Sequence, residues 1–359
     1  MGTYLIRKLI YAFFVIWGVV TLVFSLFKLL PGDPARMVTG QRTDSLTLEI
    51  IRKDLGLNKP VGQQYLRYLN DLSVISLHRT NDQEHFFFLD EEKYKPFLRI
   101  CNPSDRYVLI LKYPYLGRSF ISRKEVAVTL AEAFPNTLIL AVTAMLIATI
   151  LGIFAGIAAA QWKNTVIDKG LLLLSVLGMS LPSFFAAVLI GWLFAYLLAD
   201  YTGLNLTGNL YEIDDLGRGT YLSLKNLILP AITLGIRPLS IVMQLTRNSL
   251  LDELSREYIR TARAKGLSSG RILFRHALRN SLNPLVTAIS GWFASLMTGV
   301  IFVEYIFGWK GLGYCIVNAL NNYDFPVVFG SVIFISVIFV VINILVDITY
   351  RILDPRIRI

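Results

Sequence analysis

The residues with most chemical potential stand in one basic run, Glu257-Tyr258-Ile259-Arg260-Thr261-Ala262-Arg263-Ala264-Lys265-Gly266-Leu267, continued through Arg271 to His276-Ala277-Leu278-Arg279-Asn280. Arg256, Arg260 and Arg263 recur at i, i+4 and i+7, so a helix here carries one cationic face, with Leu254, Tyr258 and Ala262 on a different, apolar one. Gly266 suits the left-handed conformation that ends a helix, and Ser268-Ser269 can cap the next. Arg271, Arg275 and Arg279 then form a second basic stripe. The pattern predicts two short helices joined by a tight turn. On the residues alone, two uses stay open. One is an amphipathic hairpin lying on anionic lipid. The other is a docking element, because Ala262, Ala264 and Gly266 permit close backbone approach by another protein.

No other constellation carries catalysis. The sequence has no Gly-x-x-x-x-Gly-Lys-Ser/Thr run to cradle a phosphate. Gly308, Gly311 and Gly313 lack both a preceding strand and the third glycine of a dinucleotide fingerprint, and read as bends in an interfacial segment. His78, His85 and His276 are isolated, without the spacing of metal ligands, so no metal or other cofactor is expected. Glu49, Glu84, Asp90, Glu91 and Glu92 read as a solvated surface and give paired-carboxylate catalysis no support. Cys101 and Cys315 fall on the predicted outer side, where a disulfide is permitted, yet nothing places them together. With no catalytic residue in view, no enzymatic activity is expected.

The elements that must position the basic run are set by hydrocarbon. Of 359 residues, 54% are hydrophobic and 17% charged, against about 25% charged in soluble domains. Uncharged stretches reach the ~20 residues that cross a bilayer as a helix. Six spans are predicted: Leu9 to Leu30, Phe134 to Ala160, Leu171 to Ala199, Asn226 to Thr246, Asn283 to Val303 and Phe325 to Val346. Lys28 ends the first close enough to snorkel. The connector Gln161 to Lys169 sets Lys163 and Lys169 against Asp168. The first run is longer than a signal-peptide core and ends in Pro31-Gly32-Asp33, not in a small-residue cleavage site. The net charge of +10 could suggest nucleic acid, but the basic residues flank the apolar runs, and a nucleic-acid partner would leave those runs unexplained.

Arg247 to Leu282 holds eight Lys/Arg against three acidic residues, which puts that loop in the cytoplasm, and an even number of crossings puts both termini there too. The organisation expected is a helix in 1–30, an extracytoplasmic segment in 31–133, a five-helix core in 134–350 with the basic loop 247–282, and a tail in 351–359. Within the outer segment Leu48, Ile51 and Leu55 mark a helix, and Phe86-Phe87-Phe88-Leu89 and Tyr107 to Leu111 mark short strands. They predict a small α+β insert around Asp71 to Tyr113.

At this point the sequence resembles a known family. Tyr258 to Leu267 followed by Arg275-His276-Ala277-Leu278-Arg279-Asn280 is similar to the cytoplasmic loop of binding-protein-dependent ABC importer permeases, with Ala262, Gly266 and Leu278 at matching positions. Arg260 stands where the family usually has an acid and Arg279 where it usually has Pro. Those departures characterise the dipeptide, oligopeptide and nickel branch. Leu30-Pro31-Gly32-Asp33-Pro34, Leu55-Gly56-Leu57-Asn58-Lys59-Pro60, Leu116-Gly117-Arg118-Ser119, Gly311-Leu312-Gly313, Tyr323-Asp324-Phe325-Pro326-Val327-Val328 and Leu353-Asp354-Pro355-Arg356-Ile357-Arg358 are similar to that branch as well.

The resemblance implies an all-α, six-helix type I importer transmembrane domain. It also implies a heterodimer with a second permease subunit, two ABC ATPase subunits beneath, and an extracytoplasmic substrate-binding protein above. Residues 258–267 would be the coupling helix, docked in a groove of the ATPase, with hydrolysis on those separate subunits. Dipeptide, oligopeptide, nickel and glycan-peptide importers share these motifs, and peptides are the expected substrate. Pro182-Ser183 resembles a family feature and either unwinds span three at the channel wall or kinks it. Arg237, in mid-membrane at a cost of roughly 2.5 kcal/mol, should face the bundle interior or a wet cavity. It would meet the carboxylate of a passing peptide or satisfy carbonyls freed by Pro230 and Pro238. A sensor using the insert would need a ligand constellation there. A secondary transporter would need intramembrane carboxylates. Neither is present in the sequence.

Overall fold

The computed structural model describes residues 2–29, 58–82, 85–214, 217 and 219–353. The chain divides into two compact units, Met1–Glu132 with Asn318–Val337, and Ala133–Val317 with Ile338–Ile359.

In the first unit the apolar run forms α1 (Gly2–Leu29). Its Val20 and Val23 are buried with Ile333, while Phe13, Phe14 and Trp17 stay exposed, as suits a helix bathed in lipid. Helix α2 (Val61–Leu72) lies against it, with a 2.6 Å hydrogen bond between Thr21 Oγ1 and the Tyr65 hydroxyl. Lys28 donates to Gln64, so its ammonium has a protein partner as well as the interface predicted for it. The helix expected around Leu48, Ile51 and Leu55 lies outside the described residues.

The insert is an antiparallel sheet of β1 (Ile75–Arg79), β2 (Phe97–Ser104) and β3 (Tyr107–Lys112), in the order β1-β3-β2, with a one-turn helix α3 (Glu91–Tyr94) between β1 and β2. Leu77 pairs with Leu109, and Phe97 with Lys112. The predicted strand at Tyr107 is there. Phe86 to Leu89 is not a strand but a turn, closed by Phe88 N donating to the His85 carbonyl at 2.9 Å, with a single bridge from Phe88 to Arg79. The neighbouring strand was hidden because β1 inverts the usual alternation: Ser76 and His78 are buried and Leu77 is outward. Asp71 ties α2 to the insert, accepting from Lys93 Nζ at 3.0 Å and from the Tyr94 hydroxyl at 2.5 Å.

Two motifs that are far apart in sequence meet in this unit. Asp324 accepts from Ser119 Oγ at 2.5 Å and from Phe120 N at 3.0 Å. Gly117 takes φ +92° in that turn, a left-handed conformation that suits glycine.

The second unit holds most of α4 (Val126–Gln161), then α5 (Val166–Ser180), α6 (Ser183–Trp192), a hairpin of β4 (Tyr211–Ile213) and β5 (Thr220–Leu222), and α7 (Lys225–Leu254). Short helix α8 (Glu257–Ala264) leads through a helical stretch to α9 (Asn283–Gly299), α10 (Ile301–Ile306) and α11 (Leu312–Asn321). Helix α12 (Phe325–Leu353) ends the described chain. Leu140, Ala141 and Ala144 of α4, Leu229 and Leu234 of α7, and Val300, Val303 and Phe307 form its core. Small residues let α4 and α7 approach closely: a Cβ on Gly156 would lie 2.5 Å from Thr246 Cβ.

Four described helices are long and apolar enough to cross a membrane: Ile6–Leu29, Val126–Gln161, Lys225–Leu254 and Phe325–Ile348. Expected span three is instead a pair, Val166–Ser180 and Ser183–Leu197, bent by 114°. Pro182 lacks the N–H that would continue the helix, and Leu181 before it is extended. Expected span five breaks at Val300 into 17-residue α9 and α10. Span four is a single helix through both prolines and runs on past Thr246 to Leu254. Asp168 forms its ion pair with Arg247 of α7, while Lys163 acts on it only as a nearby charge.

Candidate coupling site

Helix α8 follows directly on the end of α7, separated from it by Ser255, still helical in backbone, and Arg256, where the backbone becomes extended. Ile259 and Ala262 on its inner face are buried against Ile157 and Ala160 of α4, Leu250 of α7, and Ile272, Leu273 and Ala277 of the following stretch. The buried face therefore runs through Ile259, where the sequence pattern pointed to Tyr258. Tyr258 lies half out, its hydroxyl donating to Glu253 Oε2 at 2.6 Å and accepting from Asn280 Nδ2 at 3.1 Å, which fastens both ends of the loop.

Gly266, at φ +75°, ends α8. Leu267 N donates to the Ala262 carbonyl at 3.2 Å and Gly266 N to the Arg263 carbonyl at 2.9 Å, the double bond pattern of a left-handed helix cap. Ser268 holds the N-cap position of the next helical run but makes no side-chain cap bond. That run includes a π-helical segment, Ile272–Ala277.

The outer face carries the charge. Arg260, Thr261, Arg263, Ala264, Lys265 and Gly266 are exposed, and Arg271, Arg275 and Arg279 are exposed on the following stretch. Among the described residues only weak, exposed pairs neutralise it, such as Arg260 with Glu257 at 3.5 Å. Ala262 is the exception among the small residues: it faces the chain's own core, which leaves Ala264 and Gly266 open to close approach. Phe274, 60% exposed beside Arg271 and Arg275, adds an apolar projection that the charge pattern masked.

The path candidates sit at the start of α6 and on α7. Pro182 is exposed at the 114° break, with Ser183 half-buried beside it. Arg237 is exposed on α7, on the outside of this chain's helix packing, and no described residue hydrogen-bonds or ion-pairs with it; the freed carbonyls are not its partners. Its neighbour Ile236 packs at Gly178, one turn before the break.

One functional candidate escaped the sequence reading. Glu304 is fully buried, accepting from Thr137 Oγ1 at 2.7 Å, from Gly313 N at 2.7 Å and from Tyr314 N at 3.3 Å at the start of α11. A Cβ on Gly311 would lie 2.2 Å from Glu304 Oε1, so the glycine pair makes room for this carboxylate. Trp309, also fully buried, donates Nε1 to the Asn136 carbonyl at 2.9 Å and locks the same link onto α4. The only sequence signal was a lone acid directly after an apolar run. Neither Cys101 nor Cys315 forms a disulfide with a described residue.

The chain is helical and apolar, and it packs a basic helix from behind while that helix's charged front stays exposed. Residues 148–359 match the family of binding-protein-dependent transport system inner membrane components, and residues 1–84 match the N-terminal part of such components. The chain belongs to this family, is a multi-pass inner membrane protein, and has a mostly helical fold with a small strand-containing insert. It is 32% identical over 95% of its length to the di/tripeptide transport system permease protein DppB of Pseudomonas aeruginosa, 94% of which is covered. Identity is also 32% to the dipeptide transport system permease protein DppB of Alkalihalophilus pseudofirmus, over all of both chains. The glutathione transport system permease protein GsiC of Escherichia coli K12 is 32% identical over all of this chain and 99% of its own. Among solved structures, an inward-facing MetNI methionine ABC transporter aligns with 64% of this chain and 97% of its own, at 15% identity and a TM-score of 0.48.

Proposed function

We propose that this chain forms half the translocation path of an ATP-driven importer of di- and oligopeptides. Its partners are a second, similar permease subunit, two ABC ATPase subunits and an extracytoplasmic substrate-binding protein. ATP is hydrolysed on the ATPases, and this chain supplies the path and the lever. The end-to-end likeness to permeases of di/tripeptide, dipeptide and glutathione systems carries the substrate class. The lever is α8 with its turn. Ile259 and Ala262 fix it to the ends of α4 and α7, so force on the exposed Arg260, Arg263, Ala264, Lys265 and Gly266 moves those helices and does not merely bend the loop. Both termini and the loop 247–282 lie in the cytoplasm, following the excess of Lys/Arg in that loop. The sheet-bearing insert within 31–133 lies outside. Pro182, Ser183 and Arg237 line the path, where Arg237, free of a partner among the described residues, meets the carboxylate of a peptide.

The test is uptake into proteoliposomes holding the whole transporter. Labelled dipeptide should enter only with ATP, and di- and tripeptides should compete while nickel ions do not. Competition by nickel without competition by peptides would overturn the substrate class. Gly266→Asp, with a side chain forced to positive φ and a charge on the docking face, should leave the complex assembled but separate ATP turnover from uptake.

A further inference from the structure

Helices α5 and α7 are joined along a polar seam. At one end Arg247 grips Asp168 with two parallel bonds, Nε to Oδ1 at 2.6 Å and Nη2 to Oδ2 at 2.7 Å. Asp168 is 1% exposed, and its Oδ2 also accepts from Asn164 N at 2.9 Å, at a turn where Asn164 takes φ +66°. Further along, Gln244 Nε2 donates to Ser175 Oγ at 2.8 Å. Further still, Gly178 meets Ser240 so closely that a Cβ would lie 2.5 Å from its Oγ. The order 168, 175, 178 against 247, 244, 240 makes the helices antiparallel. Leu250, three residues beyond Arg247, belongs to the cluster that clamps α8. Leu181-Pro182, three residues beyond Gly178, is the 114° break.

A buried ion pair gives little net stability compared with a well-packed apolar pair, so stability alone does not account for it. The forked geometry does fix register: a guanidinium held by both oxygens of a carboxylate resists sliding and rotation in a way that a lysine ammonium does not.

We propose that the Asp168–Arg247 pair is a positioning element for transport. It locks α5 to α7, so that displacement of the coupling helix arrives at the Leu181-Pro182 break as one rigid movement. This rests on the coupling reading given above. The pair touches neither ATPase nor substrate and acts through the helices it joins.

The experiment uses the complete transporter in proteoliposomes, reading dipeptide imported per ATP hydrolysed together with the amount of assembled complex. Arg247→Lys keeps the charge and loses the fork; Asp168→Asn loses the charge. Both should lower the import-to-hydrolysis ratio, about threefold to thirtyfold, in complexes of normal subunit composition. Exchanging the two, Asp168→Arg with Arg247→Asp, should recover part of it. An assembled Arg247→Lys transporter with the wild-type ratio overturns the proposal. So does an Arg247→Lys loss confined to the amount of complex, since that marks a purely structural pair. If Asp168→Asn fails to assemble, Arg247→Lys alone decides. Gly266→Asp, run in parallel, separates the two claims. Uncoupling there with a normal Arg247→Lys ratio removes only the ion pair's role, whereas normal coupling in Gly266→Asp removes the lever itself and this proposal with it.

Discussion

Glu304 shows how one buried carboxylate organises a link. Three donors and a fully enclosed site leave no slack, and Gly311 is the residue that makes the enclosure possible. Gly311→Ala should therefore lower stability by about 2 kcal/mol through overpacking, seen as a lower melting temperature of the purified complex; unchanged melting would count against a rigid site. In the insert, His78 has the opposite character, a base held neutral. Burial, and next the charge of Lys112, depress its pKa from 6.5 to about 4. The unfolded imidazole takes up a proton near pH 6.5 while the folded one refuses it until about pH 4. The insert's stability is thus complete above pH 6.5 and declines as pH falls toward 4, by about 2 kcal/mol at pH 5. Hydrogen exchange at Val108 and Ile110, corrected for intrinsic rates, should quicken between pH 7 and pH 5. His78→Leu should remove that pH dependence.

At the scale of elements, α8 has two faces with different tolerances, and its small residues separate accordingly. Ala262 points into the cluster with Ile157, Leu250 and Ile272, whereas Ala264 is exposed. Ala262→Glu buries an unpaired charge and should cost about 3 kcal/mol or more, reducing the yield of folded chain. Ala264→Glu should leave folding unchanged and weaken capture of the ATPase subunits in pull-downs. Equal loss of folded protein in both would contradict the two-faced description. The turn after α8 was legible in the residues because a glycine at a helix end has one dominant use. The buried face was not, because Tyr258 and Ile259 are both apolar enough, and only the hydroxyl's partners Glu253 and Asn280 assign Tyr258 to the rim. In the same way Pro182 announced an interruption of span three, but whether a proline kinks a helix or divides it depends on what α7 packs against it.

For the whole molecule, membrane orientation is the decisive property, and Cys101 offers a native reporter because it is an exposed, free thiol on β2. In intact cells an impermeant maleimide should label Cys101, and in a Cys101→Ser background an introduced Ala264→Cys should be labelled only after the cells are opened. The reverse pattern would invert the topology and place the lever away from ATP.

The sequence by itself determined the solvent of this chain, four of its six expected spans, the cationic loop and its glycine turn. Each of these depends on local composition, because hydrocarbon demands apolar side chains and internally bonded backbone whatever lies nearby. Tertiary structure alone decided the partners: Arg247 for Asp168 in place of the nearby lysines, Thr137 for Glu304, Ser119 for Asp324. A polar group withdrawn from water takes whichever donor the helix packing brings within reach, and that neighbour can be any distance away along the chain. The inverted strand β1 follows the same logic, since Ser76 and His78 go inward only because His78 bonds Ser76 at 3.0 Å and lies against the ring of Tyr94.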